Sequence, residues 1–390
     1  MLYSLVYNPH KGGIIRRKPI VKKLLAVLLT LSMVLSFAVI ASAEEAVKVA
    51  MITDYGDITD QSFNQTTYEA CKAFAEANGI EFTYFKPAGD SDAERVAMIE
   101  TAIDEGYNTI VMPGYAFGAA IAETAPVYED VTFIALDVSE GDLGEGFEMP
   151  ANLYCAVYQE ELCGYMAGYA AVALGYKHLG FLGGMAVPAV IRYGYGFVQG
   201  ANAAAEKLGI EGVACEYVYG NQFYGDADIT AYMDNWYQTL GVEVVFACGG
   251  GIYASAAEAA QKVEGGKVIG VDVDQAGIID GAYGEGMTVT SAMKGLAATV
   301  NTMLSEVVAG NFANYGGTVD TLGLVSENVE ENYVQIPVAS TQWSDTFTQD
   351  DYAAMVADMV SGAITVSNDI TVEAESFGTA IAVTSYGNIK

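Results

Sequence analysis

The stretch Val47-Lys-Val-Ala-Met-Ile-Thr-Asp-Tyr-Gly-Asp-Ile-Thr-Asp-Gln-Ser-Phe-Asn-Gln65 contains a strand, a loop and the start of a helix in nineteen residues. Val49 to Ile52 is an unbroken apolar run, as expected of a parallel strand covered on both faces. Asp54, Gly56, Asp57 and Asp60 then make an acidic loop. Ser62-Phe-Asn-Gln65 fits a capping box, with the serine oxygen taking a free amide and the glutamine reaching back. Phe63, Thr67, Ala70, Cys71 and Phe74 recur at helical spacing, and Asn78-Gly79 supplies the left-handed stop. Open α/β sheets take small polar ligands at this kind of junction, outside the carboxyl ends of their strands.

The same rhythm continues downstream. Short β-branched runs at 47–53, 80–86, 109–113 and 131–137 predict strands, with helices over 62–77, 91–105 and 117–125. A second series predicts strands at 178–183, 212–219, 242–248 and 267–273, with helices over 159–174, 189–207, 227–240 and 253–263. The repeat of about thirty residues suits right-handed βαβ crossovers and a parallel sheet. Two such series predict two lobes. Residues 151–158 read as the crossing between them and Met287 to Lys294 as the return. The expected organisation is an N-terminal extension and signal peptide (1–43), a first lobe (44–155), a second lobe (156–288), and a return crossing, hinge and C-terminal segment (289–390).

Charge is distributed unevenly. All 49 acidic residues follow residue 43, whereas six of the 17 Lys and Arg precede it, so the remainder carries 11 basic against 49 acidic groups. Such a surface repels phosphate backbones, which argues against nucleic acid as a partner. Arg16, Arg17, Lys18, Lys22 and Lys23 precede an uncharged run from Leu24 to Ala41, and Ala41-Ser42-Ala43 offers small residues for cleavage. This predicts an export signal, with a membrane anchor as the alternative reading of an apolar run of this length. Cys71, Cys155, Cys163, Cys215 and Cys248 are odd in number and lack a CxxC pair, so buried free thiols are expected rather than disulfides or a metal site.

Three strands end in aspartate where a cleft would form: Asp54, Asp137 and Asp272. A carboxylate at such a place accepts two hydrogen bonds and suits vicinal hydroxyls, although a strand-end aspartate also serves as a cap or turn residue. Phe63, Tyr115, Phe117 and Phe223 supply rings that could stack on a planar ligand. A place in the core is the alternative for Phe63, and an edge cover for Phe223. Lys294 is the sole basic residue between Lys267 and Lys390, and it falls at the expected return between lobes. The glycine-rich stretches Gly183-Gly184 and Cys248-Gly-Gly-Gly251 follow strands and would bring backbone amides near a ligand or the next helix. No GxGxxG, Walker, GxSxG or HExxH motif is present, so neither catalysis nor a cofactor is expected.

The series Val49-Ala-Met-Ile-Thr-Asp54, Asp60-Gln-Ser-Phe-Asn-Gln65, Glu105 to Val111, Gly180 to Gly184, Pro188 to Arg192, Ala247 to Gly251, Val268 to Gln275 and Thr290 to Lys294 resembles the basic membrane protein family, the purine-nucleoside receptors of ABC importers. The resemblance runs over about residues 47–310. It implies a type I periplasmic-binding-protein fold, two Rossmann-like lobes with parallel sheets joined by a hinge. It also implies a base stacked between aromatics and a ribose held by carboxylates and a lysine. By motif position these roles fall on Asp54, Phe63, Asn64, Asp272 and Lys294, with Phe223 as second ring. Tyr115, Phe117, Asp137 and Gly250 complete the expected ligand-binding set. The implied protein is an exported monomer, on the outer face of the cell membrane or secreted, that passes a nucleoside to an ABC permease. Alternatives are another ligand on the same fold (a flavin, a sugar, a signal molecule) or an exported nucleoside hydrolase. Two departures stand out: the apolar run ends without a lipid-modifiable cysteine, and Gly118-Ala119 stands where the family places an acid.

Overall fold

The computed structural model describes residues 46–389; the expected signal peptide and N-terminal extension lie outside the described residues. The first lobe is built on strands β1 (Lys48–Ile52), β2 (Glu81–Phe85), β3 (Thr109–Pro113), β4 (Thr132–Leu136) and β5 (Leu153–Tyr158). The second uses β6 (His178–Gly183), β7 (Ala214–Tyr219), β8 (Val244–Cys248), β9 (Lys267–Asp272) and β10 (Thr288–Lys294). Later in the chain come β11 (Thr318–Leu322), β12 (Val334–Gln335) and β13 (Ala382–Asn388). One sheet runs β11-β5-β4-β3-β1-β2 and the other β12-β10-β9-β8-β6-β7-β13. Among these pairs only β10 with β12 is antiparallel. The eight strands and seven helical windows read from the sequence are all present, because buried parallel strands are legible as continuous apolar runs.

In each sheet the strand order reverses beside the first strand, between β1 and β3 in one lobe and between β6 and β8 in the other. Loops leaving those four strands part to opposite faces and open a crevice. The loop that begins at Asp54 therefore faces those that begin at Gly114, Gly184 and Gly249.

The crossings differ in detail from the expectation. β5 stays in the first sheet through Tyr158, paired with β4 and β11, and the chain crosses after it into the helix Glu160–Ala173. β10 likewise belongs to the second sheet, and the return follows at Gly295. A third crossing, between β11 and β12, carries no signal in the local sequence pattern. Its segment is short and irregular, and Asn332 holds it through its side chain, accepting from Val325 N at 2.7 Å and Ser326 N at 2.9 Å. Three strands of chain between lobes allow rotation about a hinge while restricting other motions.

The helix Glu160–Ala173 packs tightly on the helix Pro188–Leu208 because glycine lines both faces. A Cβ at Gly164 would lie 2.2 Å from the Tyr193 carbonyl, and one at Gly196 2.1 Å from that of Glu161. This close approach sets Arg192 against Glu160, directly under the crevice.

Candidate functional site

The acidic loop after β1 is ordered by its own carboxylates. Asp60, rather than Ser62, caps the helix Phe63–Asn78: it accepts from the amides of Ser62 (2.9 Å), Asn64 (2.9 Å) and Gln65 (3.1 Å). The expected capping box is therefore absent. Gln65 Oε1 instead accepts from Gln61 N at 3.0 Å, and Ser62 Oγ is free to donate across the crevice to Asp272 Oδ2 at 2.6 Å. Asp54 is buried and accepts from Gly56 N at 2.6 Å and from Asn64 Nδ2 at 3.1 Å. Burial pushes its carboxyl up to about 6, against the pull of those hydrogen bonds. Its side chain lies over bare backbone, since a Cβ at Gly114 would stand 3.1 Å from Asp54 Oδ2. Asn64 Nδ2 also donates to Asp60 Oδ2 at 3.1 Å, which leaves Asn64 Oδ1 as a buried acceptor without a partner.

A charged hub faces this corner. Lys294 Nζ lies 2.5 Å from Asp137 Oδ2, 3.6 Å from Glu160 Oε1 and 3.7 Å from Asp272 Oδ1. The second Glu160 oxygen accepts from Arg192 Nε at 2.7 Å. Nζ also sits 4.8 Å above the Phe63 ring and 5.5 Å from that of Tyr158. Burial alone would lower the ammonium, but Asp137, Asp272 and Glu160 outweigh it and hold it well above the ordinary lysine range. Burial raises Asp272 and Glu160, with Lys294 opposing the rise in both and Arg192 also opposing it in Glu160. Asp137 Oδ1 is a second buried acceptor with no hydrogen-bond partner.

Backbone strain is concentrated in the same place. Gln61, Asp137, Asn221 and Asp272 have φ of 58°, 58°, 59° and 64°, the only positive values outside glycine among the described residues. All four line one cavity of about 690 Å³ between the lobes. Left-handed backbone at non-glycine residues is costly and gathers at sites where side-chain direction matters.

Rings close the remaining walls. Phe223 stacks loosely on Tyr55, with centroids 6.2 Å apart and planes at 23°. Tyr55 and Tyr115 share a hydroxyl contact at 3.3 Å. The glycine pairs make room for a ring rather than approach a phosphate: Cβ atoms at Gly184 and Gly249 would lie 2.4 and 2.7 Å from Phe223. The lobes are closed, joined by Ser62 to Asp272, Lys294 to Asp137, and Gln275 Nε2 to the Gln61 carbonyl at 3.1 Å.

Of the ten expected ligand-binding residues, Asp54, Phe63, Asn64, Tyr115, Asp137, Phe223, Gly250, Asp272 and Lys294 line this cavity. Phe117 does not. The 3₁₀ turn Tyr115–Phe117 presents Tyr115 to the cavity and drives Phe117, fully buried, into the core of the first lobe. At Gly118 a Cβ would fall 2.1 Å from the Asp142 carbonyl, so this turn has no room for an acid there. Tyr55, Arg192 and Tyr193 also line the cavity without a mark in the sequence as ligand-facing, and the fully buried Glu160 lies behind it, bonded to Arg192. Arg192 closes the stretch Pro188 to Arg192 and Tyr55 stands in the opening loop, whereas Glu160 follows β5 with no local signal at all.

The five cysteines are free and buried, as expected. Solved structures with the same fold include an ABC-transporter solute-binding protein from Aeropyrum pernix (TM-score 0.62, 19% identical, covering 85% of this chain and 90% of that one) and one from Conexibacter woesei (0.63, 23%, 83% and 99%). Among relatives by sequence, the ABC transporter nucleoside-binding protein BmpA of Lactococcus lactis is 24% identical over 82% of this chain and 88% of its own length. Basic membrane protein B of Borreliella afzelii is 26% identical over 73% and 80%. The model of the Bmp family, described as ABC transporter substrate-binding protein PnrA-like, matches residues 47–354, and the chain belongs to that family of solute-binding proteins.

Proposed function

We propose that this chain is an exported receptor that encloses a purine nucleoside between its lobes and delivers it, as a monomer, to an ABC permease at the outer face of the cell membrane. One observation carries the ligand class: an aromatic-walled cavity holds two buried acceptors without donors, Asn64 Oδ1 beside Asp54 and Asp137 Oδ1 beside Lys294. Buried acceptors are normally paired, and a ligand's donors would pair these two. Both Asn64 amide hydrogens are committed to carboxylates, so this corner accepts and does not donate. It suits a base edge rich in N–H groups, as in guanine or hypoxanthine. Asp137, Asp272 and Lys294 suit ribose hydroxyls. The name of the Lactococcus relative, a nucleoside-binding protein, agrees with this reading.

Calorimetry against guanosine, inosine, uridine and GMP tests it. Guanosine and inosine should bind best. GMP should bind at least about 100-fold more weakly, because its phosphate would meet a cavity walled by Asp54, Asp60, Asp137 and Asp272. Equal affinity for GMP, or binding of a sugar or flavin with no nucleoside bound, would overturn the assignment. Phe63→Ala and Phe223→Ala should each weaken guanosine binding by about 1–3 kcal/mol, the usual worth of a base stacked on a ring. If both variants bind as tightly as the parent, the base does not lie between these rings.

A further inference from the structure

The family match ends at residue 354, and the chain beyond it makes a structure of its own on the second lobe. After the helix Gln349–Val360 the segment runs along the helix Pro188–Leu208. Ser367 exchanges two hydrogen bonds with the Gln199 side chain (2.8 and 2.9 Å), and Tyr195 OH donates to the Val372 carbonyl at 2.7 Å. Asn202 Oδ1 accepts from Thr379 N at 2.8 Å and Ala380 N at 2.6 Å. The chain then forms β13 beside β7, in register from Ala382↔Ala214 to Ser385↔Tyr217, with a shift before Asn388↔Tyr219. Tyr386 OH donates to Glu216 Oε2 at 2.7 Å, and the other Glu216 oxygen contacts His178 Nε2 at 2.8 Å, so one carboxylate links β6, β7 and β13.

The last of these bonds lies beside the binding loop. Ile389 N donates to the Tyr219 carbonyl at 2.8 Å, and Tyr219 is the final residue of β7. The next two amides, Gly220 N and Asn221 N, donate to Gly183 O (2.8 Å) and Gly184 O (2.9 Å), and Gly251 N donates to Phe223 O at 2.9 Å. Phe223 thus hangs from the end of β7, and its ring must enter the space left by Gly184 and Gly249. Without β13, β7 would be a bare edge strand, and loops carried by edge strands open more readily.

We propose that the segment 361–389 is a strap that positions the Phe223 ring, with Ile389 and Tyr386 as its positioning residues. The strap clamps the two elements that feed the second lobe's half of the cavity, without touching the ligand itself. This inference rests on the cleft reading above only for its affinity arm.

The test uses the full chain with Ile389→Pro, which deletes the N–H that donates to Tyr219 O, and separately Tyr386→Phe. Hydrogen exchange should quicken by about tenfold or more at Gly220 and Asn221, and stay unchanged at Asn64 and Gln65 on the facing wall. Guanosine affinity should fall by about threefold to tenfold, and this loss should vanish in a Phe223→Ala background, the coupling expected when one residue acts through another. Unchanged exchange at both amides, or losses that simply add to that of Phe223→Ala, would overturn the strap. If guanosine binds neither parent nor variant, the nucleoside reading fails while exchange at Gly220 and Asn221 still decides whether the strap holds the loop. Should Ile389→Pro not fold, Tyr386→Phe supplies the same two readings.

Discussion

Lys294→Met is expected to abolish nucleoside binding and to lower the unfolding free energy by roughly 3–5 kcal/mol at neutral pH, the usual consequence of leaving buried charge without its partner. Methionine fills nearly the same volume, so cavity formation contributes little and the loss reports electrostatics. In the parent, Lys294 Nζ faces two buried carboxylates, Glu160 and Asp272, and the partly buried Asp137, while Arg192 reaches only Glu160. Removing the ammonium leaves Asp137 and Asp272 to repel each other across the closed lobes. It also removes a cation that now lies over Phe63. Burial already raises Asp272 and Glu160, so protonation of these two is the available relief, and the destabilisation should shrink as pH falls from 7 toward 5. Urea denaturation at the two pH values measures this directly. Lys294→Arg keeps the charge and should keep most of the stability, but its longer planar head should displace the ligand's hydroxyls and weaken binding. A Met variant as stable as the parent, or one that still binds guanosine, would show that the hub is ornamental.

How far the sequence foretold this hub depends on which contacts are local. Strands were legible because each is a short continuous apolar run, and strand-end aspartates follow from where such runs stop. Asp137 was placed on that geometry alone, and the structure sets it against Lys294, 157 residues away. Contacts settled by the meeting of two lobes left no trace in local pattern. Ser62 illustrates the limit. Its spacing to Gln65 fits a capping box, yet Asp60, two residues earlier, offers a carboxylate to three amides and takes the cap. Ser62 then points to Asp272 across a separation of 210 residues. Phe117 fails for a related reason. In a 3₁₀ turn two rings two residues apart leave on different sides, and hydropathy cannot say which one enters the core. Glu160 was silent because a buried glutamate looks like any helix-opening acid until Arg192 and Lys294 are folded against it. In the C-terminal segment the sequence shows a helix near 349–361 and a final strand-like tail, and the structure has both. What the sequence does not show is where the tail docks, because β13 has mostly exposed side chains and lacks the apolar run that would place it in a sheet.

Asp54→Asn should raise the stability of the empty protein while weakening guanosine binding. The Asp54 carboxyl is held at about 6 in the folded chain, chiefly by burial, against 3.8 for an ordinary aspartate. A folded-state value above the unfolded one means the folded chain binds the proton more tightly. The contribution of this group is therefore fully favourable below about 4 and is lost as pH rises through about 6. At pH 7.5 the ionised, buried carboxylate costs up to about 3 kcal/mol, which asparagine avoids while keeping an oxygen for Gly56 N. The thermal midpoint of the empty Asn variant should accordingly exceed that of the parent at pH 7.5, and the gap should close near pH 4. Binding should move the opposite way. An ionised Asp54 beside Asn64 Oδ1 presents acceptors to the base, and these oxygens lose a lone pair when Asp54 is protonated or gain a competing N–H when it becomes asparagine. Guanosine affinity of the parent should then fall by up to about tenfold per pH unit below 6, whereas the variant should bind weakly with no such slope. Differential scanning calorimetry of the empty proteins and titration calorimetry between pH 5 and 8 separate the two effects. A variant less stable than the parent at pH 7.5 would remove the stored cost from Asp54. A parent whose affinity is flat across that range would remove its role as the acceptor for the base.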